Sequence, residues 1–220
     1  MRVSEVAGLP FRAGAAVRHA RLFHPEGVLC SGTVLRTADP GRGLPLTDGQ
    51  VVGRFSKGVG LPGSLPDFAG LAWRSQTAGG RPWDVLMVSA LTRVALMPSA
   101  SWSSAVFSTL MPLGYDGKTF WLRARLSAPA QLPGLSIEGI RSRLQAGGVV
   151  LDVEQAQGAG GFESLAILEF DRVVETSWPP KDVSFDPAIN LAPGVSLLPQ
   201  WLTALRRRAY RSSRQGRDAQ

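Results

Sequence analysis

Near the C-terminus of the 220-residue chain, Arg206, Tyr210, Arg214 and Arg217 stand at positions i, i+4, i+8 and i+11. On a helix these four share one face. Tyr210 is one of two tyrosines in the sequence. An arginine one turn away donates hydrogen bonds to the phenol oxygen and favours the phenolate. A phenolate is a hard anionic ligand for ferric iron, and tyrosine is one of the known axial ligands of haem iron. Haem also carries two propionates, which call for arginines. At the other end of the chain, His24 is one of two histidines; Arg21 stands three residues before it, and Gly27 and Gly32 stand three and eight after it. Taken alone, a histidine at the entry of a strand is more often a satisfied structural residue than a proton carrier. The C-terminal stripe by itself offers an anionic ligand for iron.

Such groups need a scaffold. The 25 glycines and 16 prolines point to many turns and few long helices. Strand patterns cover 28–37, 50–56, 71–77, 82–90, 118–128, 149–157 and 163–175. The turn signal "AGGRP" between "LAWRSQT" and "PWDVLMVSA" marks a hairpin. "SWSSAVFSTLM" (101–111) reads as a short helix, as does 136–147. The segment 196–215 reads as the longest helix, with Pro199 near its start. Residues 1–16 read as an N-terminal arm and 177–194 as an extended proline-rich connection. The expectation is an α+β, mainly β fold: an antiparallel barrel core with few helices, and a C-terminal helix at 196–215 carrying Tyr210, in one domain over 1–220.

Composition narrows the classes. Hydrophobic residues make up 44%, and no apolar run reaches membrane-spanning length. Cys30 is the only cysteine, so an intramolecular disulfide is excluded; alternating with apolar neighbours, it reads as a buried strand position. With no secretory leader in "MRVSEVAGLPF", a cytoplasmic setting is expected. The formal net charge is +7, and six arginines lie between Arg206 and Arg217. With two histidines and no Cys-x-x-Cys, a zinc site is not supported. "GVGLPGS" lacks the lysine-hydroxyl ending of a phosphate loop, and a Gly-x-Ser-x-Gly elbow is missing.

The sequence resembles the catalase family, and most of all its small peroxidase members. Arg21, His24, Gly27 and Gly32 match the family's Arg-x-x-His and following glycines. "GRFSKGVGLPGSLPDFAG" matches its Arg-Phe-Ser, Gly-Ser, acidic residue and glycine through Arg54, Phe55, Ser56, Gly63, Ser64, Asp67 and Gly70. Trp83 and Asp84 match a Trp-Asp pair. "FDPAINLAPG" is similar to the family's run of an aromatic, proline and asparagine followed by Pro-Gly, ahead of the Arg four before the tyrosine. The match covers about 17–90 and 180–217.

The resemblance implies haem b as cofactor, with Tyr210 as the axial iron ligand and Arg206 stabilising its phenolate. It implies His24 as the distal acid–base group, Ser56 as its orienting partner, and Arg21, Arg54 and Arg217 at the propionates. Arg214 would face the cofactor where the family has a histidine. The family's distal asparagine, which helps to orient peroxide, is assigned to Ser89 by counting from Asp84. A serine there, Phe23 in place of a valine, and no counterpart of the large catalases' helical domain should weaken dismutation of hydrogen peroxide. The expected activity is a haem peroxidase reducing organic or hydrogen peroxide with a small electron donor, with weak catalase activity. Two alternatives stand beside it: a lipid hydroperoxide isomerase or dehydratase on the same fold, and a haem-free basic binding protein. A homodimer is a candidate assembly; no membrane or nucleic-acid partner is expected.

Overall fold

The computed structural model describes residues 26–174 and 183–199. Within them run ten strands and one helix: β1 (Glu26–Arg36), β2 (Gly49–Lys57), β3 (Ala69–Gln76), β4 (Pro82–Ser89), β5 (Val106–Ser108), β6 (Leu113–Tyr115), β7 (Lys118–Ala128), α1 (Ile137–Gly147), β8 (Val149–Gln157), β9 (Glu163–Val173) and β10 (Ser196–Leu197). The strands β7-β5-β4-β3-β2-β1-β9-β8 follow one another by hydrogen bonding, and β8 pairs back onto β7. This closes an eight-stranded antiparallel barrel. Closure pairs every long strand on both sides and leaves no long open edge. β6 lies against the start of β7, and β10 against β6.

The alternation of the sequence decides which side chains fill the barrel. In β7, Phe120, Leu122 and Ala124 are buried while Arg125 is exposed; in β8, Val149, Leu151 and Val153 are buried while Asp152 is exposed. At the centre, the Phe55 ring meets Trp102 edge-on at 5.6 Å and Phe170 at 5.7 Å. Gly53 makes room for Phe170: a Cβ there would stand 2.3 Å from the ring's Cζ. Cys30 is fully buried in this core, and burial pushes its thiol pKa far up despite an opposing hydrogen bond from Gly53. It is a packing residue, as its sequence context indicated.

Helix α1 begins at Ser136, whose hydroxyl accepts from the Gly139 N–H at 3.1 Å. It buries Ile140 and Leu144 and packs against β9, β1 and β2. The seven longer strands and this helix fall close to where the sequence placed them, the short strands β5, β6 and β10 were not expected, and two other helix expectations are corrected. Residues 101–104 form a turn that leads into β5, because serine hydroxyls capture the backbone: Ser101 Oγ accepts from Ser104 N–H at 3.1 Å and pairs with Ser104 Oγ at 2.8 Å. Ser196 and Leu197 are not the first turn of a long helix. They pair with Gly114 and Leu113, and Leu198 N–H donates to Pro112 at 2.9 Å. The rest of the expected 196–215 helix, like the 1–16 arm, lies outside the described residues.

The two glycines that follow His24 have separate structural reasons. Gly32 sits where the β1–β9 register shifts, and a Cβ on it would stand 1.8 Å from the Glu169 carbonyl oxygen. Only backbone could yield there. Gly32→Ala is expected to cost about 3 kcal/mol or more, since overpacking against a fixed ladder leaves no side chain to move. Gly161→Ala, where an added Cβ meets nothing within 4 Å, should stay within about 0.5 kcal/mol. Urea unfolding of the two variants measures the contrast.

Candidate active-site face

In β2, the core residue Phe55 is flanked by Arg54 and Ser56, whose side chains must point to the opposite face. The register of β1 to β4 extends this outer face into three rows. The first is Gly27, Ser56, Gly70 and Val88; the second is Leu29, Arg54, Ala72 and Leu86; the third is Ser31, Val52, Arg74 and Asp84. Around Ser56 and Arg54 the side chains are small or apolar. Arg54 and Ser56 are buried, at 7% and 6% exposure. The Arg54 guanidinium lies over Gly27, where a Cβ would stand 2.6 Å from its Cζ. The first motif glycine is thus the seat of this arginine.

Ser89 is placed elsewhere. It is one residue beyond Val88, so its side chain turns to the inner face, where Val85 and Met87 also point. Its hydroxyl donates to the Met97 carbonyl at 2.6 Å and accepts from the Ala69 N–H at 3.1 Å. The structure does not bring Ser56 and Ser89 together. The β4 residue in the Ser56 row is Val88. His24, Arg21, Arg206, Tyr210, Arg214 and Arg217 lie outside the described residues. Among the described residues, no group of three or more His, Cys, Asp or Glu is arranged to hold a metal ion.

The third row carries the tightest polar cluster. Asp84, with its side chain fully buried, accepts from Arg74 Nε at 2.6 Å and from Arg74 Nη2 at 2.7 Å. Its second oxygen also accepts from the Asp186 N–H at 2.7 Å and from Asn190 Nδ2 at 2.8 Å. The Asp84 N–H donates to the Asn190 carbonyl, and Arg74 Nη2 donates to the Ser184 carbonyl. The hydrogen bond to Asp84 raises the Arg74 pKa further, against the effect of burial. Trp-Asp and "FDPAIN", 102 residues apart between Asp84 and Asp186, are therefore two halves of one clasp. Arg74 was not singled out from sequence. Its signal was its position across the "AGGRP" hairpin from Asp84, where opposite charges face each other.

Asp67 anchors the glycine-rich loop after β2. It is 2% exposed, and its carboxylate accepts N–H bonds from Val59, Gly60, Leu61 and Phe68 at 2.6–3.0 Å. Burial alone would raise its pKa, but these four donors together hold it below the ordinary 3.8.

The sequence matches no protein-family profile, and no curated protein matches it. Among solved structures, a fungal catalase superposes with a TM-score of 0.64 at 10% identity, over 91% of this chain and 61% of that one. The fold is catalase-like. This chain spans about 61% of the fungal catalase's length. The outer face of the catalase-like barrel thus gathers, on β1 to β4, five of the described motif residues, Gly27, Arg54, Ser56, Gly70 and Asp84, while Phe55 and Trp83 point into the core. Among the described residues, no helix is long and apolar enough to cross a membrane.

Two outcomes are expected. Asp84→Ala leaves Arg74 without its partner and should cost about 3 kcal/mol; limited proteolysis should then cut within 183–199 faster than in the parent. Because the folded Asp67 pKa is depressed, its contribution is fully present above the ordinary carboxyl value and is lost as pH falls through the folded one. Asp67→Asn should lower stability at neutral pH by about 1–3 kcal/mol and flatten the acid limb of the stability curve measured by urea unfolding from neutral pH downwards.

Proposed function

We propose that this chain is a haem-dependent peroxidase of catalase-like fold that acts on organic hydroperoxides with a small electron donor. The observation that carries the reading is the buried pair Arg54 and Ser56, side by side on a shelf of small residues on the outer barrel face. Haem is flat, apolar on its faces and carries two carboxylates. Gly70 and Ala72 keep the strip beside Ser56 and Arg54 low, and Arg54, seated over Gly27, is a cation of the kind a carboxylate calls for, which supports a fit to that group. When bound, haem supplies an iron centre at which the peroxide O–O bond can be cleaved. In this reading Tyr210 would ligate the iron, with Arg206 and Arg214 four residues to either side of it in the sequence. Arg54 joins Arg21 and Arg217 in holding the propionates. His24 takes the hydroperoxide proton and returns it to the departing oxygen. Ser56 fixes the imidazole's tautomer by a hydrogen bond.

Val88 sets the preference among peroxides. It stands two strands from Ser56 in the same row. A valine offers no hydrogen bond to hydrogen peroxide but makes apolar contact with an alkyl group. The wall completed by Leu86 and Ala72 suits the body of an organic hydroperoxide.

Protein purified after expression with haem supplied should show a Soret band, and Tyr210→Phe should abolish or grossly shift it; an unchanged spectrum rules out Tyr210 as ligand. His24→Ala should keep the band and slow peroxide turnover about 100- to 10,000-fold. In stopped-flow measurements, Val88→Asn should shift the rate ratio of hydrogen peroxide to a bulky hydroperoxide about tenfold upward, the worth of one hydrogen bond. Product formed without consumption of donor would instead favour the isomerase.

A further inference from the structure

At one end of the barrel the loop 37–48, between β1 and β2, faces the loop 158–162, between β8 and β9. Each loop is braced by an arginine from outside it. Arg36 spends its five N–H donors on five carbonyls of the first loop: Ala38, Asp39, Arg42, Leu44 and Leu46, at 2.6–3.1 Å. Leu44 and Leu46 are buried, and the Leu44 N–H donates to Oε1 of the fully buried Gln155 at 2.9 Å. The second loop is held by the Arg93 guanidinium, which donates to the carbonyls of Gly158 and Gly160. The Gly158 N–H donates to the Thr119 carbonyl at 2.8 Å. An Arg42–Glu163 ion pair at 2.7 Å ties the first loop to the start of β9.

Between the braced loops lies an open cavity of about 540 Å³. Its polar side chains are Arg42, Lys118, Gln157 and Glu163; Phe120 and glycines of both loops complete the lining. Two features set it apart from a gap between turns. Glycine-rich loops are the segments a fold leaves loosest, yet here two arginines turn their donors onto the loop backbone and fix it. Bracing from behind is how a binding site is kept in shape. The second feature is Gly161, which neither conformation nor packing requires. Its φ is outside the left-handed region, and an added Cβ meets nothing within 4 Å. A bare backbone at a cavity wall lets a ligand come close to the peptide groups.

The charges select the ligand. Arg42 and Glu163 offset each other, and Arg42 uses one N–H in doing so. Lys118 makes no ion pair among the described residues. Asp39 and Asp116, each two residues from a lining position, do not line the cavity. The cavity therefore holds one uncompensated cation among groups that both donate and accept.

We infer that this cavity is a binding site for a small carboxylate that also carries hydroxyl groups. Lys118 meets the carboxylate as a charge-assisted donor. The remaining Arg42 N–H groups donate to hydroxyl oxygens, Glu163 accepts from hydroxyls, and the Gln157 amide does both. One uncompensated charge suits a monoanion, and a mainly polar wall suits hydroxyls better than an alkyl body. The inference does not rest on the peroxidase reading. The cavity is lined from β7, β8, β9 and two loops at the barrel end, whereas Arg54 and Ser56 lie on the outer face of β2.

The test is isothermal titration calorimetry of the full chain with gluconate, glucose and acetate. Gluconate should bind. Glucose lacks the charge and acetate lacks the hydroxyls, and each should bind about tenfold more weakly or less. Lys118→Ala should lower gluconate affinity about tenfold or more, the worth of one charge-assisted hydrogen bond. Gly161→Leu, which fills the cavity, should abolish gluconate binding at an unchanged melting temperature. Lys118 is exposed, so its variant keeps the test decisive even where Gly161→Leu disturbs the loop. No binding of gluconate by the parent, or undiminished binding by Lys118→Ala, overturns the inference. Acetate or glucose binding as tightly as gluconate overturns it as well, since the site would then not read both groups.

Discussion

A buried carboxylate cannot be left short of donors, and Asp84 is the place where this rule shapes the molecule. Its side chain is wholly out of water, so its charge must be met by protein groups. Arg74 supplies two bonds from the neighbouring strand, and the remaining need is met from a segment a hundred residues away in sequence, through Asp186 N–H and Asn190 Nδ2. A close pair of this kind adds little stability over an apolar substitute of the same shape. What it adds is selectivity, because a segment shifted by one residue would offer the carboxylate no matching donor. The clasp therefore fixes where 183–190 lies against β4, and through it the start of β10 against β6.

The barrel gives that clasp its place. Its interior is filled by Phe55, Trp102, Phe170 and their aliphatic neighbours, and Arg54, Ser56 and Asp84 stand on the outer face. On β1 to β4 this face carries polar groups that are buried all the same: Arg54, Ser56 and Asp84. Charged groups almost never stay buried unless something pairs with them. Such a concentration on the outside of a closed barrel is the mark of a surface that the rest of the chain, or a bound group, must meet.

Much of this was legible beforehand because the barrel is built on alternation. "KTFWLRARLSA" and "VVLDVEQAQ" carry a period of two and became β7 and β8 at the positions read for them. The glycines after His24 were visible as motif, though not their reasons: one seats Arg54, the other spares the Glu169 carbonyl. The misread helix at 101–111 failed on local chemistry, since a run of serines bonds its own backbone. The start of the 196–215 helix failed on a long-range cause, a bridge to β6 that no local pattern announces. Arg74 with Asp84 was within reach as a cross-hairpin pair; Asn190 and Asp186 were not, because nothing local reports that a distant loop returns to the same strand.

Ser89 and Val88 show how sharply parity governs a functional reading. Counting along a strand from Asp84 carries an uncertainty of one residue, and in a helix one residue would rotate a side chain by a fraction of a turn. In a strand it exchanges one face for the other. Asp84 faces outward with Arg74, so the residues at even separation from it, Leu86 and Val88, share its face, and Ser89 belongs to the core. There its hydroxyl donates to the Met97 carbonyl and accepts from the Ala69 N–H. The outward position falls instead to an apolar residue. The difference on this face is thus a loss of polarity altogether, and it is on this ground alone that the proposed peroxidase reading favours a hydroperoxide with an apolar body.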